Sequence, residues 1–315
     1  MIVVVDLSCE EEAEKSWAKS MATVGFAVVS NHGVPEEVLQ NMTKEMKHFF
    51  LSKSGADKMK YNYGKYGNPN GGYTKLGTES VSRSLGAETS SAPPDLVENY
   101  VILGEHFQNK NAERIGKHDK SLFEAGEAYY SELVKLMEKI HRLSARALGI
   151  SEDFFTDFYS PPDTSLRLSH YPPLPDKIED GQMRYGAHTD YTGFTFLYLP
   201  DAEACSGLEI FVEGKWKSVT VENLPPHSFI VNIGDLMAYW SGGRWKSTLH
   251  RVANPPKNSA LAKVDRFSIP FFTGPKLDSV IVPVNYESMS EEDKSRFKPV
   301  LALDHLHAKL GISNT

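Results

Sequence analysis

Two histidines and one aspartate in the second half of the chain have the residue types and the spacing of a metal site. Alternation along an extended strand places His188 and Asp190 of Gly186-Ala187-His188-Thr189-Asp190 on the same side. His250 lies in a later β-like run, Ser247–Val252. Two imidazoles and one carboxylate occupy one face of an octahedral ion and leave three positions open, which suits non-haem Fe(II) oxygen chemistry. Zn²⁺ accepts the same ligands, so the residue types do not determine which metal binds. Taken alone, either histidine also fits a purely structural role.

A second group of residues could bind an acid. Asp265–Phe272 is also β-like, and Arg266, Ser268 and Phe272 share one face of it. A guanidinium that points into the protein needs an acidic partner, because an unpaired buried charge is costly. A dicarboxylate ligand could supply that partner through a bidentate contact, with the Ser268 hydroxyl adding a hydrogen bond. An internal salt bridge is the alternative for Arg266.

Three residues are candidates for contact with a substrate. Arg167 has the same strand parity as Tyr171, so it could meet an acidic group on the substrate or form a structural ion pair. Phe272 could pack against the substrate or fill the core. Tyr73 lies in a glycine-rich stretch that could form a lid or a solvated loop.

The elements that would position these side chains belong to one catalytic unit, 1–315. Apolar residues recur at steps of three, four and seven before Gly149, which predicts a scaffold helix. Short β-like runs separated by Pro, Gly and Asn then predict an all-β core. The predicted division is an N-terminal region with long loops at 1–118, the scaffold helix at 119–150, the core at 162–285 and a helical tail at 286–315. The predicted core strands are Leu166–Tyr171, Gly193–Leu199, Leu208–Val212, Phe229–Ile233, Thr248–Ala253 and Arg266–Thr273.

Composition and charge disfavour several kinds of partner. The 315 residues are 40% apolar and 24% charged, enough to bury a core. The formal net charge of −7 argues against nucleic acid and anionic membranes. Cys9 and Cys205 cannot form a disulfide framework. No apolar run in the sequence is long enough to cross a bilayer, and Met1–Asp6 lacks the basic start of a signal peptide. We therefore expect a cytoplasmic monomer that acts on a small molecule.

The order of these segments resembles the 2-oxoglutarate and Fe(II)-dependent dioxygenases of the isopenicillin N synthase-like family. The resemblance extends over most of the chain. The segments that carry it are, in order, Phe26–Pro35, Gly71-Gly72-Tyr73, Pro93–Leu96, His170-Tyr171-Pro172-Pro173, Gly186–Tyr191, Val231–Asp235, Ser247–Pro256 and Arg266–Phe272.

The resemblance implies a double-stranded β-helix (jelly-roll) core inside a mainly β fold with flanking helices. It also implies that His188, Asp190 and His250 bind Fe(II), and that dioxygen is a cosubstrate. Arg266 and Ser268, assisted by the Tyr171 hydroxyl, would bind the distal carboxylate of 2-oxoglutarate. Two departures stand out from the family pattern. Ser169 replaces an asparagine that is frequent two residues before the tyrosine, and Phe194 replaces a smaller aliphatic residue, which we expect to reshape the pocket.

The expected reaction is oxidation of an unactivated C–H bond in a small organic substrate, which could be carboxylated if Arg167 binds it. Hydroxylation, desaturation and oxidative cyclisation are all compatible with the residues. By analogy alone, specialised-metabolite biosynthesis is the expected setting, with a kainoid-type ring closure as one example. Two alternatives remain at this point: a family oxidase that does not consume 2-oxoglutarate, and a metal-stabilised jelly-roll protein that binds without turnover.

Overall fold

The helices of the protein lie at the two ends of the chain and between the strands. A computed structural model describes residues 2–62, 71–85, 89, 91–109, 117–201, 207–219 and 224–313. No helix among these residues is both long enough and apolar enough to cross a bilayer. The helices are α1 Glu10–Thr23, α2 Glu36–Ser52, α3 Gly55–Met59, α4 Gly104–Gln108, α5 Lys120–Leu148, α6 Asp235–Trp240, α7 Glu291–Arg296 and α8 Ala302–Ser313.

The strands form one large sheet, one small sheet and a short pair. In the large sheet the order is β1-β2-β10-β7-β12-β5-β4-β3, and in the small sheet it is β6-β11-β8-β9. Only the β1–β2 pair of these described ladders is parallel. The strands are β1 Val3–Asp6, β2 Phe26–Ser30, β3 Gly72–Thr74, β4 Glu98–Leu103, β5 Asp163–Tyr171, β6 Tyr185–His188, β7 Phe194–Tyr198, β8 Leu208–Val212, β9 Lys215–Ser218, β10 Phe229–Ile233, β11 His250–Val252, β12 Arg266–Gly274, β13 Val280–Ile281 and β14 Val300–Leu301.

The two larger sheets pack face to face. Phe26, Val28 and Ile230 of the large sheet share one apolar cluster with Leu208 and Ile210 of the small sheet. Because side chains alternate along a strand, every second residue of these strands points into the space between the sheets. This arrangement confirms the predicted fold class, a mainly β protein with flanking helices and a jelly-roll core.

The opposite face of the large sheet is covered by α5. Leu133 and Ile140 of α5 are completely buried in the same cluster as Phe196 and Phe271 of the sheet. The helix begins where the Asp119 carboxylate accepts a hydrogen bond from the Leu122 N–H at 3.1 Å. It ends at Gly149, whose φ of +73° is readily adopted only by glycine. The predicted scaffold helix therefore forms with nearly the predicted ends.

The stretch between Tyr61 and Lys117 contains more regular structure than the loops that the sequence predicts. Part of it, at 63–70, 86–88, 90 and 110–116, lies outside the described residues. The described part includes β3, β4 and α4. Strand β4 pairs with β5 along its whole length, from Glu98 opposite His170 to Leu103 opposite Ser165. The many Gly, Ser and Asn residues around β4 are typical of loops, so the sequence does not indicate this strand. Pairing with β5 stabilises it.

One buried histidine of α5 makes folding sensitive to acid. Among the described residues, His141 Nε2 has no hydrogen-bond partner, and the ring lies 4.0 Å from the Tyr159 ring between centroids. Burial lowers the pKa of His141 to about 3. In the unfolded chain the same group titrates near 6.5. As the pH falls between these values, the unfolded state gains a proton that the folded state does not, so the folded protein loses stability.

Replacement of His141 with phenylalanine will therefore reduce the acid sensitivity of the protein. We expect wild type to lose about 2 kcal/mol more of its unfolding free energy than His141→Phe between about pH 6.5 and pH 4.5. Urea unfolding curves at the two pH values measure this difference. Equal losses in the two proteins would show that His141 does not titrate on unfolding.

Candidate active site

Three side chains predicted to bind a metal converge at the edge of the small sheet. His188 on β6 and His250 on β11 are directly opposite each other in the antiparallel ladder, and Asp190 follows β6 by two residues. One oxygen of Asp190, Oδ1, lies 3.5 Å from His188 Nε2 and 3.8 Å from His250 Nε2. The candidate ligand atoms all lie within 4.8 Å of one another, and all three residues are at most 8% exposed. This donor set has the composition of a facial metal triad.

Hydrogen bonds at the other ring nitrogens orient both histidines. His188 Nδ1 lies 3.0 Å from the Gly186 carbonyl oxygen, and His250 Nδ1 lies 3.0 Å from the Thr248 carbonyl oxygen. A carbonyl can only accept, so each Nδ1 carries a proton, and in the neutral form of each ring Nε2 keeps a lone pair for a metal. Burial, followed by the neighbouring His188, lowers the pKa of His250 to about 4. His250 is thus neutral and able to bind a metal at neutral pH.

The carboxylate of Asp190 is oriented by two side chains from the large sheet. Its Oδ2 accepts hydrogen bonds from Thr195 Oγ1 at 2.5 Å and from Asn232 Nδ2 at 2.6 Å, which leaves Oδ1 for a metal. Burial alone would raise the pKa of Asp190. The nearby imidazoles of His250 and His188, with the hydrogen bonds, lower it below its ordinary value. The carboxylate is therefore ionised at neutral pH.

We expect loss of either Asp190 contact to weaken metal binding. Thr195→Val and Asn232→Leu should each reduce Mn²⁺ affinity by about 10- to 100-fold, as is typical for groups that orient a metal ligand. Free Mn²⁺ measured by its electron paramagnetic resonance signal gives the affinity. Thr273→Val is the matched control, because this buried hydroxyl bonds to Phe194 backbone atoms and not to the triad. If Thr195→Val and Thr273→Val bind Mn²⁺ equally well, Thr195 does not position Asp190.

The predicted acid-binding residues lie on the large sheet, on the face turned toward the small sheet. Arg266 and Tyr171 are direct partners in the β12–β5 ladder, and the Arg266 guanidinium lies 4.6 Å from the centre of the Tyr171 ring. Ser268 is opposite Ser169 in the same ladder. Arg266 and Ser268 are each 3% exposed. The site-facing end of β12 thus offers a buried cation and a hydroxyl beside a tyrosine.

Arg167 faces the same space and is already paired. Its guanidinium forms two hydrogen bonds with the Glu79 carboxylate, at 2.6 and 3.0 Å, and a third with Asn99 Oδ1 at 3.0 Å. It also lies 5.0 Å from the centre of the Tyr185 ring, which in turn is 4.9 Å from the His188 ring. Arg167 therefore forms a structural ion pair with Glu79, one of the two alternatives that the sequence allowed. One side chain, Tyr185, lies between Arg167 and His188 of the triad.

The other two substrate candidates have different positions. Phe272 is half-buried on the site-facing side of β12, opposite Thr195 of β7. Tyr73 is 4% exposed in the helix-side core and donates a hydrogen bond to Glu98. Its ladder partner is Tyr100, which also belongs to that core. The prediction that Tyr73 contacts substrate is wrong in this structure, because alternation along β3 turns the ring away from the triad.

The two residues that depart from the family pattern lie on opposite faces of the large sheet. Ser169 is on the site-facing side of β5, 2% exposed, opposite Asn99 of β4. Phe194 is on the helix-side face and packs against Trp17 and His141, each at 5.7 Å between ring centroids. The expectation that Phe194 reshapes the pocket is wrong, because its side chain fills the core under α5.

Sequence reasoning missed several residues that shape the site. Thr195 and Asn232 were each recognisable as a single polar residue inside an otherwise apolar strand, a pattern that indicates a buried polar contact. Glu79 and Asn99 lie in the stretch interpreted as loops, where no local pattern distinguishes them. Nothing in the sequence indicated that Arg184 lies near the site, apart from its position four residues before His188.

Fold and site together define a class: a jelly-roll protein with a buried facial triad of the type used for non-haem iron oxygen chemistry. Comparison with known families identifies the class further. A family model described as "2OG-Fe(II) oxygenase superfamily" matches residues 162–275. A second, "non-haem dioxygenase in morphine synthesis N-terminal", matches residues 2–119.

Individual relatives match along most of the chain. Gibberellin 20 oxidase 2 of Arabidopsis thaliana is 30% identical, over 94% of this chain and 73% of that protein. The 2-oxoglutarate-Fe(II) type oxidoreductase ppzD of Metarhizium rileyi (strain RCEF 4871) is 28% identical, over 92% of this chain and 82% of that protein. The crystal structure of JOX2 in complex with 2OG, Fe and JA is 26% identical, with a TM-score of 0.79 over 100% of this chain and 85% of that chain.

The chain belongs to the 2-oxoglutarate and Fe(II)-dependent dioxygenases of the isopenicillin N synthase-like superfamily. It is an oxidoreductase, and its cofactors are Fe(II), 2-oxoglutarate and dioxygen. The residues present fit this chemistry, because the triad offers two imidazole Nε2 atoms and one carboxylate oxygen, and a hydrogen bond at the other polar atom of each side chain orients it.

Proposed function

We propose that the protein oxidises an unactivated C–H bond of a small, carboxylated organic substrate. His188, Asp190 and His250 would hold Fe(II), and Arg266, Ser268 and Tyr171 would bind the distal carboxylate of 2-oxoglutarate. The supporting observation is that the triad on the small sheet and the Arg266 guanidinium on the large sheet are both buried, and that Tyr171, the ladder partner of Arg266, packs against Val252 of β11. When bound, the iron and 2-oxoglutarate supply the oxidising power by reducing dioxygen.

The protein's own residues would orient the reactants and exclude water. The hydrogen bonds at Nδ1 fix both imidazoles. Thr195 and Asn232 bind Oδ2 of Asp190 and so leave Oδ1 directed toward the metal. The buried guanidinium of Arg266 would set the direction of 2-oxoglutarate through its planar donor pair. Burial of the triad strengthens each of these electrostatic contacts, because the local dielectric is low.

Arg167 and Phe272 are the proposed substrate contacts. The Arg167 guanidinium would bind an acidic group of the substrate, sharing its donors between that group and Glu79. Phe272 would pack against apolar atoms, since it is half-buried beside Thr195. Acids derived from amino acids are the substrate class we propose, with hydroxylation, desaturation or ring closure of the kainoid type as the possible outcomes. The cytoplasmic location, the monomeric state and the four-region division of the chain remain predictions.

The test is substrate-coupled turnover. Protein loaded with Fe(II) under anaerobic conditions receives 2-oxoglutarate, dioxygen and one acid from a panel of amino-acid-derived acids. We expect one acid to give succinate in equal amount to oxidised product, and mass spectrometry then distinguishes gain of an oxygen atom from loss of two hydrogen atoms. Asp190→Ala is the inactive control. Product formed without any consumption of 2-oxoglutarate would contradict the proposal and favour the direct oxidase.

A further inference from the structure

A second arginine is buried beside the proposed 2-oxoglutarate site. Arg184 precedes β6 directly and is 1% exposed, among the largest completely buried side chains of the described residues. Its Nη2 donates hydrogen bonds to the backbone carbonyl oxygens of Leu261 and Val264, at 3.2 and 3.5 Å. Its Nε has no hydrogen-bond partner among the described residues. The hydrogen bonds of this guanidinium thus reach neutral acceptors only.

Arg184 lies beside the start of β12, because one of its backbone acceptors is Val264, two residues before Arg266. Burial, followed by the positive charge of Arg266, lowers the pKa of Arg184 to about 10. Asp265 opposes this shift, but its carboxylate is 2.7 Å from His170 Nε2, on the helix-side face of β5. Arg184 therefore remains a cation at neutral pH, next to a second buried cation.

A buried guanidinium such as that of Arg184, with neutral hydrogen-bond acceptors, is unfavourable without an anion. Arg184 pays a desolvation cost, and the positive charge of Arg266 adds a repulsion that is stronger in a medium of low dielectric than in water. The unmatched Nε donor of Arg184 adds the cost of a buried polar group without a partner. A carboxylate would offset all three costs, because its two oxygens offer about four acceptor positions, enough for donors from two guanidinium groups.

We propose that Arg184 is a second cationic contact for the distal carboxylate of 2-oxoglutarate and selects a keto diacid over a keto monoacid. The proposal rests on the proposed role of Arg266 as the first such contact. Arg184 directly precedes β6 of the small sheet, and Arg266 begins β12 of the large sheet. The carboxylate would thus be bound between the two sheets.

Binding of two keto acids to the Mn²⁺-loaded protein tests this role without turnover. Isothermal titration calorimetry measures the affinity for 2-oxoglutarate and for 2-oxobutanoate, which has the same keto acid end and no distal carboxylate. We expect Arg184→Met to lose about 10- to 100-fold in affinity for 2-oxoglutarate, the effect of one charged hydrogen bond. Its affinity for 2-oxobutanoate should change by less than about 3-fold, because that ligand makes no such hydrogen bond.

Two further variants keep the result interpretable. Arg184→Lys retains the charge without the planar fork and should lose less 2-oxoglutarate affinity than Arg184→Met. Arg244→Met is the matched control, since Arg244 also donates only to backbone carbonyls, of Ser241 and Leu148, and is exposed. We expect it to bind both acids as wild type does.

Three outcomes separate the hypotheses. Unchanged 2-oxoglutarate affinity in both Arg184 variants would overturn the proposal. Equal losses for the two keto acids would also overturn it, because they would show a purely structural role for Arg184. Wild-type protein that binds 2-oxoglutarate no better than 2-oxobutanoate would instead contradict the role of Arg266 in the proposed function.

Discussion

Replacement of Asp190 with alanine will abolish substrate-coupled succinate formation, and it will do so through loss of the metal. Asp190 is the only carboxylate of the described triad, and its oxygen lies between the two imidazole Nε2 atoms. Without it, two neutral ligands remain for a divalent cation. Groups that merely orient a ligand are worth about 10- to 100-fold in affinity, so removal of the ligand itself should cost more than about 100-fold.

Fe(II)-dependent stabilisation measures this effect separately from catalysis. A metal that binds only the folded state raises stability in proportion to the logarithm of its concentration over its dissociation constant. We expect anaerobic Fe(II) to raise the melting temperature of wild type but not of Asp190→Ala or His188→Ala. His141→Phe is the control, because it replaces a buried histidine of α5, which packs against Phe194 on the helix-side face of the large sheet. An equal Fe(II) response in Asp190→Ala and wild type would contradict the assignment.

Replacement of Arg266 with leucine will weaken 2-oxoglutarate binding strongly while leaving the metal site intact. Loss of one partner from a buried, hydrogen-bonded charge pair costs about 2–5 kcal/mol, which corresponds to a rise of about 30-fold or more in the KM for 2-oxoglutarate. The Fe(II) response should stay at the wild-type level, because Arg266 lies on the large sheet and the imidazoles lie on the small one.

Steady-state kinetics with varied 2-oxoglutarate gives this KM, and the melting shift with Fe(II) is measured on the same sample. Arg146→Leu is the matched control, since Arg146 forms ion pairs with Glu14 and Glu152 on the surface of α5 and should leave both values unchanged. A KM in Arg266→Leu within about 2-fold of wild type would mean that another group binds the distal carboxylate, because a tenfold change requires only about 1.4 kcal/mol.

The metal triad was predictable because residue type and strand parity together carry most of the information. His188 and Asp190 are two residues apart at a strand end, and metal chemistry restricts which third side chain can complete them. The register of the small sheet then places His250 opposite His188. Arg266 and Ser268 followed from the same alternation along β12. In these cases, local periodicity determined which side each residue faces.

The groups that orient the triad required tertiary information. Thr195 and Asn232 belong to the large sheet, and no spacing along the chain relates them to Asp190. The pairing of Arg167 with Glu79 depends on a segment whose composition is typical of loops. The predictions of a lid or loop at Tyr73 and of a pocket position for Phe194 failed for a related reason. A short strand or a single substitution gives no indication of which sheet face is covered by helices.

The arrangement also explains why the two sheets must stay in register. Asp190 receives hydrogen bonds from β7 and β10 of the large sheet, while the imidazoles come from β6 and β11 of the small sheet. A sliding movement between the sheets would therefore separate the metal ligands from the residues that orient them. The apolar cluster of Phe26, Val28 and Ile230 with Leu208 and Ile210 resists such movement.

A crystal structure with Mn²⁺ and 2-oxoglutarate tests the central claim most directly. Mn²⁺ replaces Fe(II) without consuming dioxygen, and its anomalous scattering locates it independently of the protein atoms. We predict one ion in contact with His188 Nε2, Asp190 Oδ1 and His250 Nε2, and the distal carboxylate of 2-oxoglutarate on the Arg266 guanidinium. An ion bound by any other set of side chains, or a diacid bound away from Arg266, would contradict the account.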